Sequence, residues 1–454
     1  MERLICLLGL ICFIAMAWSI STDRRNFPWR VVLGGVGLQF VLAFLVLKTT
    51  PGQAVIEAVG DMFVATLGCV RAGSGFVFGG ANAEFSDSLI GTFAFGVLPT
   101  IIFFSALMAI LYHIGVMQKL VSALAWIMRH TLGTSGTETL AAAANVFVGQ
   151  TEAPLVIRPY LARMTKSELM AMMTGGFATV AGGVLAAYAE MGIDVRHLMT
   201  ASVISAPAAL LIAKVMVPES EDAVPSDQVT MAKVGDDDNL IGAAVSGASE
   251  GLMLALNVGA MLIAFLGLIA LLDLILATLC GYAGWTTDSG DPQLTLGIIL
   301  SYLFWPFAWL LGIPPTECLE AGRLIGLKTV ANEFLAFADL SELRQLEQPP
   351  LSPRSVIVLT YALAGFSNFS SIGIVVGGVG GLEPSRKADL SRFALRAMFG
   401  GLLACLMTAA VAGVLLSEPV LESPATLSDT PSAERSVVLP DAKTDSEINA
   451  DPID

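Results

Sequence analysis

The chain has 454 residues, of which 55% are hydrophobic and only 14% are charged, and its mean hydropathy is +0.74. These values lie far outside the range of soluble globular proteins and indicate an integral membrane protein. The formal net charge is −15, and the sequence has no basic patch of the kind that binds nucleic acid. The six cysteines show neither a CxxC pair nor a disulfide framework, so we interpret them as small hydrophobic residues.

Eight apolar runs contain no Asp, Glu, Lys or Arg and are long enough to cross about 30 Å of hydrocarbon. They cover residues 4–22, 31–47, 88–118, 169–189, 197–213, 251–272, 355–382 and 397–417. Sustained alternation of apolar and polar residues, as in a β-barrel, is absent from the sequence. The predicted fold is therefore an all-α integral membrane protein with about eight transmembrane helices.

The first run follows Arg3 and contains Ala-Met-Ala at residues 15–17. A cleaved signal peptide also shows this pattern. Arg24, Arg25 and Arg30 follow the run, however, and a signal peptide carries its positive charge before it. We therefore expect a retained first helix with its N-terminus outside. Eight crossings then place both termini outside, in the periplasm of a Gram-negative host, and more than half of the 24 Lys and Arg residues inside.

Three further segments are not predicted to cross the membrane. Residues 51–69 are apolar but contain Glu57 and Asp61, which is typical of an interfacial helix. Residues 218–247 and 418–454 are rich in Ser, Pro, Asp and Glu. We expect an acidic cytoplasmic loop at the first of these and a disordered acidic tail at the second.

Four short motifs occur twice, in the same order. Residues 125–126 match 308–309, 137–140 match 316–319, Glu152 matches Glu333, and 176–179 match 365–368. Three crossings separate the two copies, so the second copy is expected to be inverted in the membrane, which is a common plan of transporters. The domain prediction is N-terminal scaffold helices at 1–87, a first inverted repeat at 88–217 and a second at 248–417.

Each repeat contains a carboxylate inside an otherwise apolar segment. Glu152 lies in segment 137–164, and Glu333 lies in segment 316–340. A charged residue at membrane depth is costly and indicates a functional site. Both segments are too polar to be ordinary transmembrane spans. The span that follows each segment must also begin on the side of the membrane from which the segment itself begins. We therefore predict two re-entrant hairpins, with the site between the repeats.

The spans that follow the hairpins contain residues that permit an unwound middle, at 182–183 and at 367–371. The polar residues of the predicted pocket are Gln150, Thr151, Glu152, Glu333, Asn368 and Ser371. This set contains acceptors and amides but no Lys or Arg, which argues against an anionic ligand. It suits a neutral molecule with hydroxyl groups and an amide-like edge, because a carboxylate accepts two hydroxyl hydrogens and amides both donate and accept.

From about residue 31 to residue 417, the chain resembles the concentrative nucleoside transporters, in particular their bacterial, eight-helix branch. The matching motifs are at 149–154, 173–178, 332–334 and 365–371. The resemblance implies a secondary active symporter that imports nucleosides such as uridine across the inner membrane, driven by a sodium gradient. It also implies a homotrimer in which a transport domain moves like an elevator against a scaffold, with no cofactor besides the coupling ion.

The resemblance assigns roles to individual residues of the predicted pocket. Those implied on the base side of the nucleoside are Gln150, Thr151 and Glu152, with Val184 as an apolar contact. Those implied on the ribose side are Glu333, Asn368 and Ser371. Phe366 is implied as an aromatic ring near the pocket. Val184 and Phe366 also fit a simple packing role, because branched and aromatic residues fill any helix interface.

The resemblance further implies a sodium site made of hard oxygen ligands. It consists of the side chains of Asn145 and Thr179 and the backbone carbonyls of Val148 and Val180. One alternative for Asn145 is a helix-capping amide. The alternative for the coupling is a proton, with one of the two hairpin glutamates as the titrating group.

Two other functional classes fit the sequence less well. Residues 365–367, Gly-Phe-Ser, match the short motif of intramembrane serine proteases, but no His follows Ser367 to activate it. We therefore expect that the protein is not an enzyme. A passive channel is disfavoured because carboxylate-bearing hairpins favour a closed site over an open pore.

Overall fold

The described part of the chain consists of helices and turns and contains no strand. The computed structural model describes residues 1–78, 92–221, 229, 231–232, 239–285 and 294–416. In chain order its α-helices are α1 (Glu2–Ser19), α2 (Trp29–Lys48), α3 (Thr50–Phe78), α4 (Leu98–His113), α5 (Val116–Leu132), α6 (Gly136–Asn145), α7 (Ala153–Val156), α8 (Lys166–Ala178), α9 (Gly182–Glu190), α10 (Val195–Met216), α11 (Leu240–Ala283), α12 (Leu296–Leu310), α13 (Cys318–Val330), α14 (Glu333–Arg344), α15 (Pro353–Leu363), α16 (Phe369–Leu382) and α17 (Lys387–Leu415). The all-α prediction is confirmed. The predicted tail at 418–454 lies outside the described residues.

Eight stretches of the described chain are long and apolar enough to cross a membrane, and they differ in one member from the predicted set. The segment expected as an interfacial helix at 51–69 is part of α3, which has 29 residues and is one of the eight. The predicted segment was too short because Arg71, Gly73 and Gly75 suggested that the helix ends at residue 69, whereas it continues to Phe78. Glu57 and Asp61 lie on its exposed face. The predicted span 355–382 is not one of the eight, because it is interrupted.

The two halves of the molecule repeat the same order of elements. Helices α4–α10 and α11–α17 each run as a membrane-length helical stretch, a helix of 15–17 residues, a hairpin of two helices, an interrupted helix and a further long helix. The helices of 15–17 residues, α5 and α12, were missed in the sequence because they are too short for spans. The predicted span 88–118 is also shorter than expected: α4 ends at His113, where Gly115 adopts a left-handed conformation with φ of 84° and turns the chain into α5.

The predicted hairpins consist of helices that reach only part of the way through a bilayer. Helix α6 has 10 residues, and α13 and α14 have 13 and 12. At 1.5 Å per residue these helices are about 15–20 Å long, against about 30 Å of hydrocarbon. Their tips, at 146–152 and at 331–332, therefore lie at mid-depth of the bundle.

The two predicted spans after the hairpins are each split into two half-helices. The first is interrupted at 179–181, between α8 and α9, and the second at 364–368, between α15 and α16. Gly365 occupies a conformation that favours glycine, with φ of 155°, and a Cβ there would lie 2.6 Å from Cys405 Sγ. The interruptions place backbone polar groups and helix ends beside the hairpin tips.

Helix α11 is far longer than its predicted span at 251–272. It has 44 residues, or about 66 Å, and it begins at Leu240, inside the segment expected to be an acidic loop. The loop is therefore shorter than predicted at its C-terminal end, and residues 222–228, 230 and 233–238 of it lie outside the described residues. Most large apolar side chains of α11 are exposed, whereas α8, α10 and α17 form the buried centre of the bundle.

The base of the first hairpin is fixed by buried ionic and hydroxyl groups. Lys214 of α10 is 2.7 Å from the carboxylate of Glu138 and 3.0 Å from that of Glu219. Ser135 caps α6 and also donates to the buried carboxylate of Glu168 at 2.5 Å. Because charges buried in this way need their partners, this network holds the hairpin in one position relative to α8 and α10.

Candidate functional site

All eight residues predicted to contact the substrate line one cavity. Its walls come from the two hairpin tips, the two interruptions and helix α11. The predicted residues at the cavity are Gln150, Thr151, Glu152, Val184, Glu333, Phe366, Asn368 and Ser371. They are separated by more than 200 positions in the chain, so it is the repeated fold that brings them together. Among the described residues that line the cavity there is no Lys or Arg.

Glu333 is the most firmly positioned group of the cavity. It is the first residue of α14, directly after the hairpin turn, and its side chain is 2% exposed. Asn368 donates to one carboxylate oxygen at 2.9 Å, and the hydroxyl of Tyr188 donates to the other at 3.0 Å. The partial positive charge at the start of α14 stabilises the carboxylate as well. Each oxygen keeps a further acceptor position, which leaves the group able to bind hydroxyl hydrogens.

The second interruption positions its polar side chains by capping the next helix. Asn368 is the N-cap of α16, and its side-chain oxygen accepts the backbone N–H of Ser371 at 2.9 Å and the hydroxyl of Ser370 at 2.6 Å. The opposite end of the same amide donates to Glu333. The orientation of the Asn368 amide is therefore fixed by its hydrogen bonds on both ends. The hydroxyl of Ser371 lies in the first turn of α16, next to this amide.

The first hairpin contributes a second carboxylate and a free acceptor. Glu152 accepts the backbone N–H of Gly149 at 2.9 Å, so the turn is closed by the carboxylate itself. The side-chain oxygen of Gln150 is buried and has no hydrogen-bond partner in the described part of the chain. An acceptor of this kind is costly unless a ligand or water completes it.

Val184 and Phe366 face the cavity from the two interrupted helices. Val184 is 2% exposed, near the start of α9, while Phe366 is half-buried within the second interruption. Both lie at the cavity and also pack against the core.

The sequence reasoning missed one wall and one positioning group. The wall is a stripe of α11 made of Leu254, Val258 and Met261, one helical turn apart. These residues carried no signal, since the run 251–272 that contains them has no charged residue on any side. The positioning group is Tyr188 of α9, which is fully buried and whose role is visible only once Glu333 is placed beside it.

The residues predicted to bind sodium lie at the first hairpin tip and in the interruption after α8, and two of them lie against the same glycine. Asn145 is the last residue of α6, and Thr179 follows the last residue of α8. Both lie against Gly175: the Thr179 hydroxyl donates to its carbonyl at 2.9 Å, and a Cβ at Gly175 would lie 3.0 Å from Asn145 Nδ2. Val148 and Val180 lie in the adjoining hairpin turn and interruption.

Asn145 does not act as a helix-capping amide. Its Nδ2 faces the carbonyl of Met172 at 3.5 Å, and its Oδ1 is buried without a hydrogen-bond partner among the described residues. An unpaired amide oxygen beside a hydroxyl and non-helical backbone carbonyls is the donor set that a hard monovalent cation prefers. The residues present therefore fit the predicted ion.

Comparisons with known proteins show the fold and the family of the chain. Family models described as the Na+ dependent nucleoside transporter N-terminus, nucleoside recognition (Gate) and the Na+ dependent nucleoside transporter C-terminus match residues 8–81, 94–194 and 197–413. The solved structure of CNTnw in an inward-facing substrate-bound state is 42% identical, with a TM-score of 0.84, and the match covers 91% of this chain and 98% of that one. The chain belongs to the concentrative nucleoside transporter family. Solved outward-facing and intermediate states of CNTnw are similar to it as well.

Relatives within this concentrative nucleoside transporter family differ in length. An uncharacterized transporter of Haemophilus influenzae is 42% identical, and the match covers 92% of this chain and 98% of that protein. The human sodium/nucleoside cotransporter 1 is also 42% identical, but only 64% of it is covered. The chain thus spans a little under two thirds of the mammalian relatives. The homologues named as transporters are not enzymes, in agreement with the prediction.

Proposed function

We propose that the protein is a symporter that imports nucleosides across the inner membrane, driven by a sodium gradient. The support is a cavity rich in acceptors and amides, whose described lining residues include no Lys or Arg, in a chain of the concentrative nucleoside transporter family. A nucleoside is neutral and offers paired ribose hydroxyls and an amide-like base edge, which match these groups. A nucleotide would bring a phosphate that no cation of the lining would balance.

The observation that carries the proposal is the fixed carboxylate of Glu333. Asn368 and Tyr188 orient it and leave acceptor positions on both oxygens. Two vicinal hydroxyls can donate to one carboxylate, and charge-assisted bonds of this kind are the stronger ones. We assign Glu333, Asn368 and Ser371 to the ribose. The base then faces the side formed by Gln150 and Glu152.

We assign the remaining three predicted contacts to the base side as well. Thr151 lies in the first hairpin turn beside Gln150, and its methyl group is close to α16, because a Cβ at Gly378 would lie 2.9 Å from it. Val184 and Phe366 supply apolar surface for the faces of a planar base. This assignment places the ribose on the second repeat and most of the base contacts on the first, with Phe366 of the second repeat also facing the base.

We propose that sodium binds at Asn145, Thr179, Val148 and Val180. The ion would complete the buried, unpaired oxygen of Asn145. It would also stiffen the junction between the first hairpin and the interruption after α8, next to the Gln150 side of the cavity. Sodium would thereby favour the arrangement that binds the nucleoside, which is the coupling that a symporter requires.

The distribution of polar groups around the cavity supports an elevator motion. Among the described residues that line the cavity, the polar ones come from the hairpins and the interrupted helices, whereas α11 contributes Leu254, Val258 and Met261. An apolar wall without hydrogen bonds to the substrate lets a loaded domain slide along it without breaking polar contacts. We assign α11 to the scaffold on this ground.

The exposed surface of α11 supports a homotrimer. The helix is about 66 Å long, which is twice the hydrocarbon thickness, and its large apolar side chains are mostly exposed. Lipid covers the part within the membrane, and copies of the same chain are the partners that we propose for the rest. Both termini are assigned to the periplasmic side by the distribution of Lys and Arg.

Ligand binding to the purified protein tests the substrate class. We expect uridine or adenosine to raise the melting temperature in sodium buffer, with a smaller shift in choline buffer. The matched control is the 5′-monophosphate of the same nucleoside, for which we expect no shift. A shift as large with the monophosphate would contradict the proposal, since it would require a cationic group at the cavity.

A further inference from the structure

Helix α13 of the second hairpin carries a lysine that the proposed function leaves unexplained. Lys328 is completely buried, and its ammonium donates to the carbonyl of Ala362 at 2.8 Å. That carbonyl lies in the last turn of α15, immediately before the second interruption. Burying an ammonium group costs several kcal/mol unless nearby negative charge compensates it.

The surroundings of Lys328 supply this compensation. The end of α15 presents carbonyl oxygens with partial negative charge, at which a cation is favourable. Lys328 also interacts attractively with the charge of Glu333, five residues further along the same hairpin. The ammonium therefore binds a broken helix end in the field of the cavity carboxylate, without lining the cavity itself.

The first repeat has the same arrangement with a different side chain. There, Asn145 lies in the last turn of the hairpin helix α6, and its amide faces Met172 and Gly175 near the end of the interrupted helix α8. In each repeat a polar side chain from the hairpin's first helix thus points at the last turn of the first half-helix. The first repeat presents an unpaired oxygen there, and the second presents an ammonium group.

The charges of the two repeats differ in the same way. Each repeat brings one carboxylate to the cavity, Glu152 in the first and Glu333 in the second. Glu333 has Lys328 as an attractive partner, whereas the charged neighbour of Glu152 is another carboxylate, Glu250 of α11. The first repeat therefore needs a mobile cation where the second already has a bound one.

We propose that Lys328 is a tethered cation that occupies, in the second repeat, the place that sodium occupies in the first. This inference rests on the proposed sodium site at Asn145. It makes Lys328 a positioning residue, since its charge holds Glu333 and the end of α15 in the binding arrangement. It follows that one sodium ion, and not two, accompanies each nucleoside.

Counting bound sodium ions tests the inference. Equilibrium binding of ²²Na⁺ to the purified protein, with saturating uridine, is expected to give one ion per protomer. The variant Lys328→Ala removes the ammonium and leaves room for an ion, so we expect a second ion to bind. The matched control, Lys328→Met, removes the charge but fills the space, and we expect it to bind one ion and to bind uridine at least tenfold more weakly.

Several results would overturn the inference. The first is the binding of two sodium ions per protomer by the unchanged protein, and the second is the binding of only one by folded Lys328→Ala. The third is a uridine affinity of folded Lys328→Met equal to that of the unchanged protein. Melting curves establish which variants are folded. If Lys328→Ala is not folded, the inference is tested by the ion count of the unchanged protein and by the uridine affinity of Lys328→Met. If the unchanged protein binds uridine but no sodium, the proposed sodium coupling fails, which is distinct from a failure of the Lys328 assignment.

Discussion

Replacing Glu333 by Gln tests the assigned ribose site most sharply. The substitution keeps the size of the side chain and removes its charge. The carboxylate now accepts from Asn368 at 2.9 Å and from Tyr188 at 3.0 Å, and we propose that it also accepts two ribose hydroxyls. A glutamine offers only one oxygen, and its NH₂ group must face either the Asn368 amide or the Tyr188 hydroxyl.

The expected loss follows from the hydrogen bonds at stake. A hydrogen bond to a charged group contributes about 1.5–3 kcal/mol, so two of them contribute about 3–6 kcal/mol. Since about 1.4 kcal/mol corresponds to a factor of ten, we expect Glu333→Gln to weaken nucleoside binding by roughly 10² to 10⁴-fold. Isothermal titration with uridine in sodium buffer measures this directly.

The matched control is Tyr188→Phe, which removes one donor to Glu333 and leaves the carboxylate in place. We expect a smaller loss, of about tenfold or less, because the proposed contacts to the ribose remain. Melting temperatures of both variants show whether the fold is intact. Uridine affinity within about threefold of the unchanged protein in folded Glu333→Gln would refute the ribose assignment.

Three further substitutions test other parts of the structure. Asn145→Ala removes the unpaired oxygen of the sodium site, so uridine uptake is expected to need at least tenfold more sodium; an unchanged sodium titration would place the ion elsewhere. Gly176→Ala places a Cβ 2.9 Å from that of Gln150, and we expect calorimetry to show weaker uridine binding at an unchanged melting temperature. Lys214→Met leaves the carboxylate of Glu138 buried without its cationic partner, which costs about 3–5 kcal/mol. We therefore expect a lower melting temperature, and an unchanged melting temperature would show that the ion pair does not stabilise the fold.

Much of the fold could be predicted because membrane helices and repeats leave direct traces in the sequence. Polar residues in apolar runs, such as Glu152 and Glu333, identified the hairpins, and Gly182 and Asn368 identified the interruptions. The family motifs contain seven of the eight residues that the structure brings to one cavity, and the eighth, Val184, was implied by the wider resemblance. Sequence motifs predict the site well because it is built from short contiguous segments. Each of these segments is polar because it lies at a helix end.

Other features gave no usable signal. The true extent of α11 was hidden because its N-terminal turns contain Gly, Ala, Ser and Glu250, which read as loop until the packed helix is seen. The end of helix α3 was predicted too early because Arg71, Gly73 and Gly75 resemble the start of a connection. Tyr188 and Lys328 are single polar residues whose roles depend on partners more than 30 positions away, and only the folded chain reveals them.

The most direct test of the proposed function is uptake of radiolabelled uridine and adenosine into proteoliposomes. Either a sodium gradient or a proton gradient is imposed across the vesicle membrane, with protein-free vesicles as the control. We predict accumulation with the sodium gradient alone. Accumulation driven only by protons would contradict the assigned ion site and make a hairpin glutamate the coupling group, and a lack of uptake by folded protein under either gradient would contradict nucleoside transport itself.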